Sequence, residues 1–312
     1  MTTSGSVDFS VSRDNILYDA LHIVGAVGPD DTPAAAWITH AARQLNKIVK
    51  ALGSKGPSLW ARKTGYILPV SNTNTVALGP SGGHATLSYV HTQTSAVSAS
   101  AATTITVDSI TGISASDNIG VELDDGTMQW TTVNGAPSGS TVTLTAALTD
   151  DVAVDAHVYT YTTKLQRPLR IMDAFLHNEE QDTDIYIDVV AKLDYDLLGS
   201  KETEGVVDQL TYDPQLERGT AYFAPRFEDG SRVITIIFQR PFEDFDVSTD
   251  TPDFPQEWYD YLTLATAVRL GPVYGLPVQD RQALRAEAKE ALDMVLGNEP
   301  EEGSLRLIPE IA

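Results

Sequence analysis

The chain has 312 residues, no cysteine, and 43 acidic against 21 basic residues, which gives a formal net charge of −22. The missing cysteines exclude disulfides, thiolate metal sites and cysteine nucleophiles. The negative charge argues against general DNA or RNA binding and against docking on anionic membranes, since both need clustered Lys and Arg. Residues 1–10 are small and polar and no apolar run approaches about 18 residues, so neither a leader peptide nor a membrane span is expected.

Two helices are predicted near the start of the chain. In SRDNILYDALHIVGAVG, Ser12 is the expected N-cap and Gly25 or Gly28 the expected end. The second helix is expected to use Thr32 as N-cap and Pro33 as its first residue. Its apolar positions recur in steps of three and four, as a buried stripe requires: Ile38, Ala41, Leu45, Ile48, Leu52. The pattern predicts two antiparallel helices packed on each other.

Composition changes after these helices. No Lys or Arg occurs between Lys63 and Lys164, and several Thr- and Val-rich segments alternate apolar and polar residues. DDG at 124–126 predicts a hairpin turn, and the run of short strands predicts a small barrel or sandwich inserted at 82–163. The following segments predict an antiparallel sheet, with EDGS at 228–231 as another hairpin turn.

Two further helices are predicted after Pro255, with Gly271 and Gly297 at their ends and with Arg285 and Lys289 facing water. Residues 299–312 are acidic and then sparsely apolar, which predicts a flexible tail. The predicted fold class is α+β: a helical bundle from the N- and C-terminal helices, an antiparallel β region, and an inserted all-β domain. The predicted domains are an N-terminal helical part (1–81), the insert (82–163), a β region with C-terminal helices (164–298), and the tail (299–312).

The stretch PFEDFDVSTDTPDFPQEW, residues 241–258, concentrates acidic, proline and aromatic residues. Asp244, Asp246 and Asp250 are spaced like the start of a calcium loop, but the Gly and the closing Glu of such a loop are missing. The prolines would stop extended structure and start a helix, which favours a connection between a strand and a helix instead. The predicted hinge residues are Asp244, Asp246, Pro252, Pro255 and Trp258.

No convincing catalytic motif is present. The chain lacks Gly-x-Ser-x-Gly and His-Glu-x-x-His, and GPSGGH lacks the Lys and Ser/Thr of a phosphate loop. No catalytic, cofactor-binding or metal-binding residue is therefore predicted. Paired carboxylates leave a cell-wall (peptidoglycan) hydrolase as an alternative. A host-carbohydrate-binding module is a second alternative, resting on aromatics that are more often core in a small β domain: Tyr89, Trp130, Tyr159, Tyr161.

An ordered series of fragments carries a family resemblance. The most specific are LNKIVKALGSKGPSLW and RPFEDFD…DFPQEW, with SRDNILYDALHIVGAVG, RPLRIMDAFL, YDLLGSK and EGSLRLIPE in the same order. The series resembles the head-to-tail adaptor, or tail accessory, proteins of short-tailed and related tailed bacteriophages. The resemblance covers roughly 10–68 and 165–309 and leaves the insert outside. One departure is KETEGVVDQLTY, where a proline is expected near Val207.

The resemblance implies a structural, non-enzymatic virion protein at the head–tail junction, assembled in the cytoplasm of the host bacterium. Such proteins form a ring of twelve copies below the portal protein, extend the DNA channel and provide the platform for the tail nozzle or tail tube. The tail of this chain would bind the portal through Leu305, Arg306, Leu307 and Ile308. No cofactor and no membrane partner is implied.

The acidic composition fits a channel that genomic DNA crosses without specific binding, because like charges repel over about 8 Å at physiological salt. Neighbouring acidic subunits would also repel each other. We therefore predict that basic side chains offset this repulsion at the subunit contacts, namely Arg13, Lys47, Arg62, Arg269 and Arg285.

Overall fold

A computed structural model describes residues 5–6, 8–28, 30–53 and 59–297. The architecture is α+β, which confirms the predicted class. The described residues form two compact units, one from the segments up to Ala61 and from Pro241 onward, and one from Arg62–Arg240. The helices are α1 (Arg13–Ile23), α2 (Ala35–Leu52), α3 (Lys192–Asp196), α4 (Tyr259–Leu270) and α5 (Val278–Gly297), and short 3-10 turns occupy Leu59–Ala61 and Gln256–Trp258.

Local signals set both boundaries of α1 but not the start of α2. The Ser12 side chain accepts a hydrogen bond from the Asn15 amide at 3.3 Å, and Gly25, at φ +69°, follows the end of α1. Both features were predicted. Helix α2 begins at Ala35, with Ala34 as an N-cap that makes no side-chain bond, so the predicted start at Thr32 and Pro33 is wrong. Pro33 is buried in the extended segment before the helix, which indicates that packing rather than capping fixes the start.

Four helices of the first unit share one apolar core. Helix α4 lies against α1, α2 and α5, and α1 also contacts α2. The α2 stripe is buried as predicted, apart from its half-buried first residue, Ile38. Each large side chain buried in this way contributes about 1.5–3 kcal/mol relative to its exposed state. The side chains that have no exposed surface include Leu17, Leu21, Leu45, Val49, Leu262 and Leu270.

The second unit contains an eight-stranded sheet. Its strands are β1 (Arg62–Ile67), β2 (Thr75–Leu78), β3 (Ala85–Thr86), β10 (Arg170–Asn178), β11 (Thr183–Val189), β12 (Gln209–Asp213), β13 (Gly219–Ala224) and β14 (Arg232–Gln239). Their order across the sheet is β2-β13-β12-β11-β10-β14-β1-β3. Residues 62–78 were included in the predicted helical part, 1–81, and instead supply two of these strands.

Strand pairing in this sheet departs from prediction twice. The sheet is antiparallel except for β11 and β12, which pair in parallel because the chain crosses back through α3 between them. The predicted hairpin at Glu228–Ser231 is wrong, since β13 pairs with β12 and β2 whereas β14 pairs with β10 and β1. The turn residues do mark a reversal of the chain between β13 and β14. The two strands nevertheless pair with strands that are distant in sequence and not with each other.

The segment predicted as an insert holds two small sheets. The strands are β4 (Val90–Gln93), β5 (Thr104–Thr106), β6 (Asn118–Glu122), β7 (Met128–Thr132), β8 (Thr141–Thr143) and β9 (His157–Tyr161). One sheet has the order β4-β9-β6-β7 and the other pairs β5 with β8. The DDG turn joins β6 to β7 as predicted, with Gly126 at φ +77°. These sheets belong to the same compact unit as the large sheet, and an independent domain at 82–163 stays a prediction.

Candidate functional site

The acidic loop, residues 241–255, is held to the helical unit by its aromatic side chains. Phe242, Phe245 and Phe254 are buried in the helical core. The Trp60 ring stacks on Phe242 with centroids 4.9 Å apart and lies 5.0 Å from Phe254. Such contacts add about 0.5–1.5 kcal/mol each beyond apolar burial. The loop is therefore an integral part of this unit.

Carboxylates of the acidic loop organise its own backbone. Oδ2 of Asp250 accepts hydrogen bonds from the amides of Asp246 and Val247, at 2.7 and 2.8 Å. Oδ2 of Asp253 accepts from the amide of Glu243 at 3.1 Å. These bonds hold the backbone of the acidic loop through two of its own carboxylates. Among the residues that the structure describes, no group of three His, Asp or Glu side chains is arranged to hold a metal ion.

Helices α1 and α2 fix the same loop from outside. The Asn46 amide group donates to the Phe245 carbonyl and accepts from the Phe245 amide, both at 3.0 Å. Lys50 Nζ lies 2.8 Å from the Phe242 carbonyl oxygen and 2.8 Å from Oδ1 of Asp244. The Arg13 amide donates to the Asp250 carbonyl at 2.7 Å. Of the predicted hinge residues, Pro252 and Trp258 are buried, while Asp244 and Asp246 are exposed.

The predicted subunit-contact residues differ in how exposed they are and in which unit they lie. Arg13 is engaged within its own chain, because its guanidinium binds Oδ1 of Asp14 at 2.8 Å and only 13% of its side chain is exposed. Arg62 is half-buried at the start of β1, in the other unit. Lys47, Arg269 and Arg285 are exposed on helices of the first unit.

Arg269 and Arg285 meet at one groove, here called the cationic groove. It has a volume of about 380 Å³ and lies between α2, α4 and α5. Lys289 lines it as well, one helical turn after Arg285. The remaining lining residues are Ile48, Ala51, Leu52, Tyr261, Ala265, Val268, Ala288 and Leu292. Within the part of the chain that the structure describes, three cations and no carboxylate thus surround an apolar floor, in a chain with 43 acidic residues.

The aromatic residues considered for carbohydrate contact do not form an exposed platform. Tyr159 and Tyr161 are 0% and 3% exposed, and Tyr89 and Trp130 are half-buried. Tyr159 donates to the Gly230 carbonyl at 2.6 Å, and burial raises the pKa of Tyr159 and Tyr161 above the ordinary range. The expectation that these residues are core is confirmed for the two tyrosines of β9.

A histidine cluster lies beside these aromatics. Nε2 of His91 is 2.9 Å from Nδ1 of His157, and Nδ1 of His91 is 3.4 Å from Oε2 of Glu179. Oε1 of Glu179 accepts from the Tyr89 hydroxyl at 2.5 Å. Burial lowers the pKa of His91, with Glu179 opposing this and His157 and His177 adding to it. No periodicity in the sequence predicts this cluster, because β4, β9 and β10 bring its members together from distant positions.

The predicted tail lies outside the described residues, and so do the predicted portal-binding residues, Leu305, Arg306, Leu307 and Ile308.

None of the helices in the described ranges is both long and apolar enough to span a membrane. Comparison of the chain with protein-family models and with curated proteins returned no match in either set.

Proposed function

We propose that this protein is a structural virion protein, a head-to-tail adaptor that assembles as a ring below the portal of a tailed bacteriophage. In this proposal the helical unit is the core of each ring subunit, and the ring extends the DNA channel and carries the tail nozzle or tube. The role is structural rather than enzymatic.

The observation that carries the proposal is which segments of the chain form the helical unit. Its helices come from both ends of the described chain, and the acidic loop is packed among them. The two sequence fragments that most specifically resemble the adaptor family, around α2 and around residues 240–258, thus belong to one body. Asn46 on α2 joins them directly through its two bonds to Phe245.

Charge supports the same proposal. A net charge of −22 lowers the affinity of the protein for DNA, because like charges repel. Weak affinity suits a channel, since attraction would hold the DNA during passage. The exposed cations Lys47, Arg269 and Arg285 are available to offset repulsion between neighbouring copies.

Sedimentation of the purified chain with the portal protein encoded by the same genome tests this function. The full-length chain is expected to co-sediment with the portal as one large defined complex and to form rings in electron micrographs. A chain cut after Asn298 is expected to lose the association, since the predicted portal contacts would be gone. Failure of the full-length chain to associate would contradict the adaptor function and direct attention to a peptidoglycan turbidity assay.

A further inference from the structure

We propose that the cationic groove is the docking site of residues 298–312 of the same chain, which occupy it before the protein meets a partner. The docking itself is independent of the proposed function. Its consequence, that docking withholds this segment and Arg269 and Arg285 from assembly, rests on the adaptor function.

The groove offers two kinds of contact to such a segment. Ile48 and Leu52 are 4% and 6% exposed and form its floor, while Val268 and Leu292 are half-buried along its walls. Binding another apolar side chain there would remove further surface from water, which is favourable at about 25 cal/mol per Å². Arg269, Arg285 and Lys289 supply positive charge around this floor.

The sequence of residues 298–312, NEPEEGSLRLIPEIA, complements both features. Its charge is net negative, from four glutamates and one arginine. The glutamates are Glu299, Glu301, Glu302 and Glu310. Its apolar residues are Leu305, Leu307, Ile308 and Ile311. Acidic side chains thus match the cations, and aliphatic side chains match the apolar floor.

Chain length allows the segment to reach the groove of its own subunit. At about 1.5 Å per helical residue, Gly297 lies about 12 Å along α5 from Lys289. Residues 299–308 can span at most about 33–36 Å when extended, which exceeds that distance severalfold. Tethering also gives the segment an effective concentration in the millimolar range, so weak contacts are sufficient for docking.

Cross-linking of the full-length chain tests the docking, and the absence of native cysteine makes the chemistry specific. Ala51→Cys places a thiol in the groove, and Ser304→Cys places one in the segment without removing a charged or apolar contact. The matched control pairs Ser304→Cys with Ala36→Cys, an exposed site about 22 Å farther along α2. With a short bismaleimide, we expect the groove pair to react within the monomer about tenfold faster than the control pair.

Charge variants in the groove-pair background test complementarity. Arg285→Gln with Lys289→Gln is expected to slow the intramolecular reaction about threefold to tenfold, as the loss of two surface ion pairs would. The same substitution at Arg43, exposed on α2 outside the groove, is expected to leave the rate unchanged. Circular dichroism and thermal melts establish that each variant is folded.

Equal rates for the two cysteine pairs would overturn the proposal, and so would a product found only as a covalent dimer, which would assign the groove to a second copy. If the chain cross-links as expected but never associates with the portal, the docking stands and the proposed function fails. If both hold, addition of portal protein is expected to slow the intramolecular reaction.

Discussion

At the scale of single residues, His84 links the two β-sheet systems. Its ring stacks on Trp130 with centroids 3.9 Å apart, and its Nδ1 lies 2.9 Å from the Tyr161 hydroxyl. Trp130 in turn donates from Nε1 to the Pro69 carbonyl at 3.0 Å. Burial, followed by the nearby Lys164 ammonium, lowers the pKa of His84 from 6.5 to about 4. The folded protein therefore keeps this imidazole neutral.

Acid is expected to weaken the protein through His84. Because its pKa is lower in the folded than in the unfolded state, its contribution is complete above pH 6.5 and is lost as the pH falls towards 4. Urea unfolding at pH 7 and 4 should show this loss, and the His84→Phe variant should lose about 2–3 kcal/mol less than the native chain over that interval. His22→Gln, on α1, is the control. An equal pH dependence for His84→Phe and the native chain would refute this role.

Asn46 is a second residue that we expect to contribute to stability, through its two hydrogen bonds to the Phe245 backbone. Asn46→Ala removes both bonds to the Phe245 backbone and leaves that backbone without these partners. We expect the free energy of unfolding to fall by about 1–3 kcal/mol in chemical denaturation. Arg43→Ala, at an exposed position on the same helix, is expected to change it by less than about 0.5 kcal/mol. A similar effect of the two substitutions would show that Asn46 does not fix the acidic loop.

At the scale of elements, the pairing of β6 with β7 leaves no space for a side chain at Gly120. A Cβ there would lie 2.7 Å from ring atoms of Trp130, which is opposite Gly120 in the register. Gly120→Ala is therefore expected to lower the free energy of unfolding by about 1–3 kcal/mol and to alter the Trp fluorescence. Gly199→Ala, which meets no atom within 4 Å, is the control. An unchanged stability of Gly120→Ala would contradict the close packing of this strand pair.

At the scale of the whole molecule, the ring of the proposed function would have to form despite repulsion between copies that each carry −22. The single variants Arg269→Glu and Lys47→Glu are each expected to form fewer rings than the native chain at low salt. This difference should shrink at higher salt, because salt screens the added repulsion. Analytical ultracentrifugation between about 50 and 300 mM salt measures this, because the Debye length falls from roughly 14 to 6 Å over that range. Reversal of Arg43 is the control for net charge alone. If the Arg269 and Lys47 variants match the Arg43 variant, these cations have no special role in subunit contact.

The sequence was most informative where structure depends on neighbours in the chain. The Ser12 cap, the apolar stripe of α2, the DDG turn and the end of α4 at Gly271 all follow from residues within a few positions of each other. The wrong hairpin prediction at Glu228–Ser231 and the unpredicted parallel pair β11–β12 both concern the choice of strand neighbours. Strand neighbours are chosen by contacts between distant segments, and local alternation carries no information about them.

The candidate site shows the same division. Arg269 and Arg285 are predicted from the sequence as subunit-contact cations, which stays a prediction, and the structure places both on exposed helix surfaces. Their convergence with Lys289 on one groove depends on the packing of α4 against α5, which no local pattern specifies. Arg13 is predicted for the same role, but its guanidinium binds Asp14 and the Asp246 carbonyl of its own chain.

The α+β class, the positions of most helices and strands, and the acidic character of the protein are readable from the amino-acid sequence, since these depend on composition and on periods of two and 3.6 residues. Two features required the folded chain: the acidic loop is bound by Asn46 and Lys50, and cations surround an apolar groove. These features arise from contacts between residues far apart in the chain, and the energy of such contacts depends on a packing that must form as a whole.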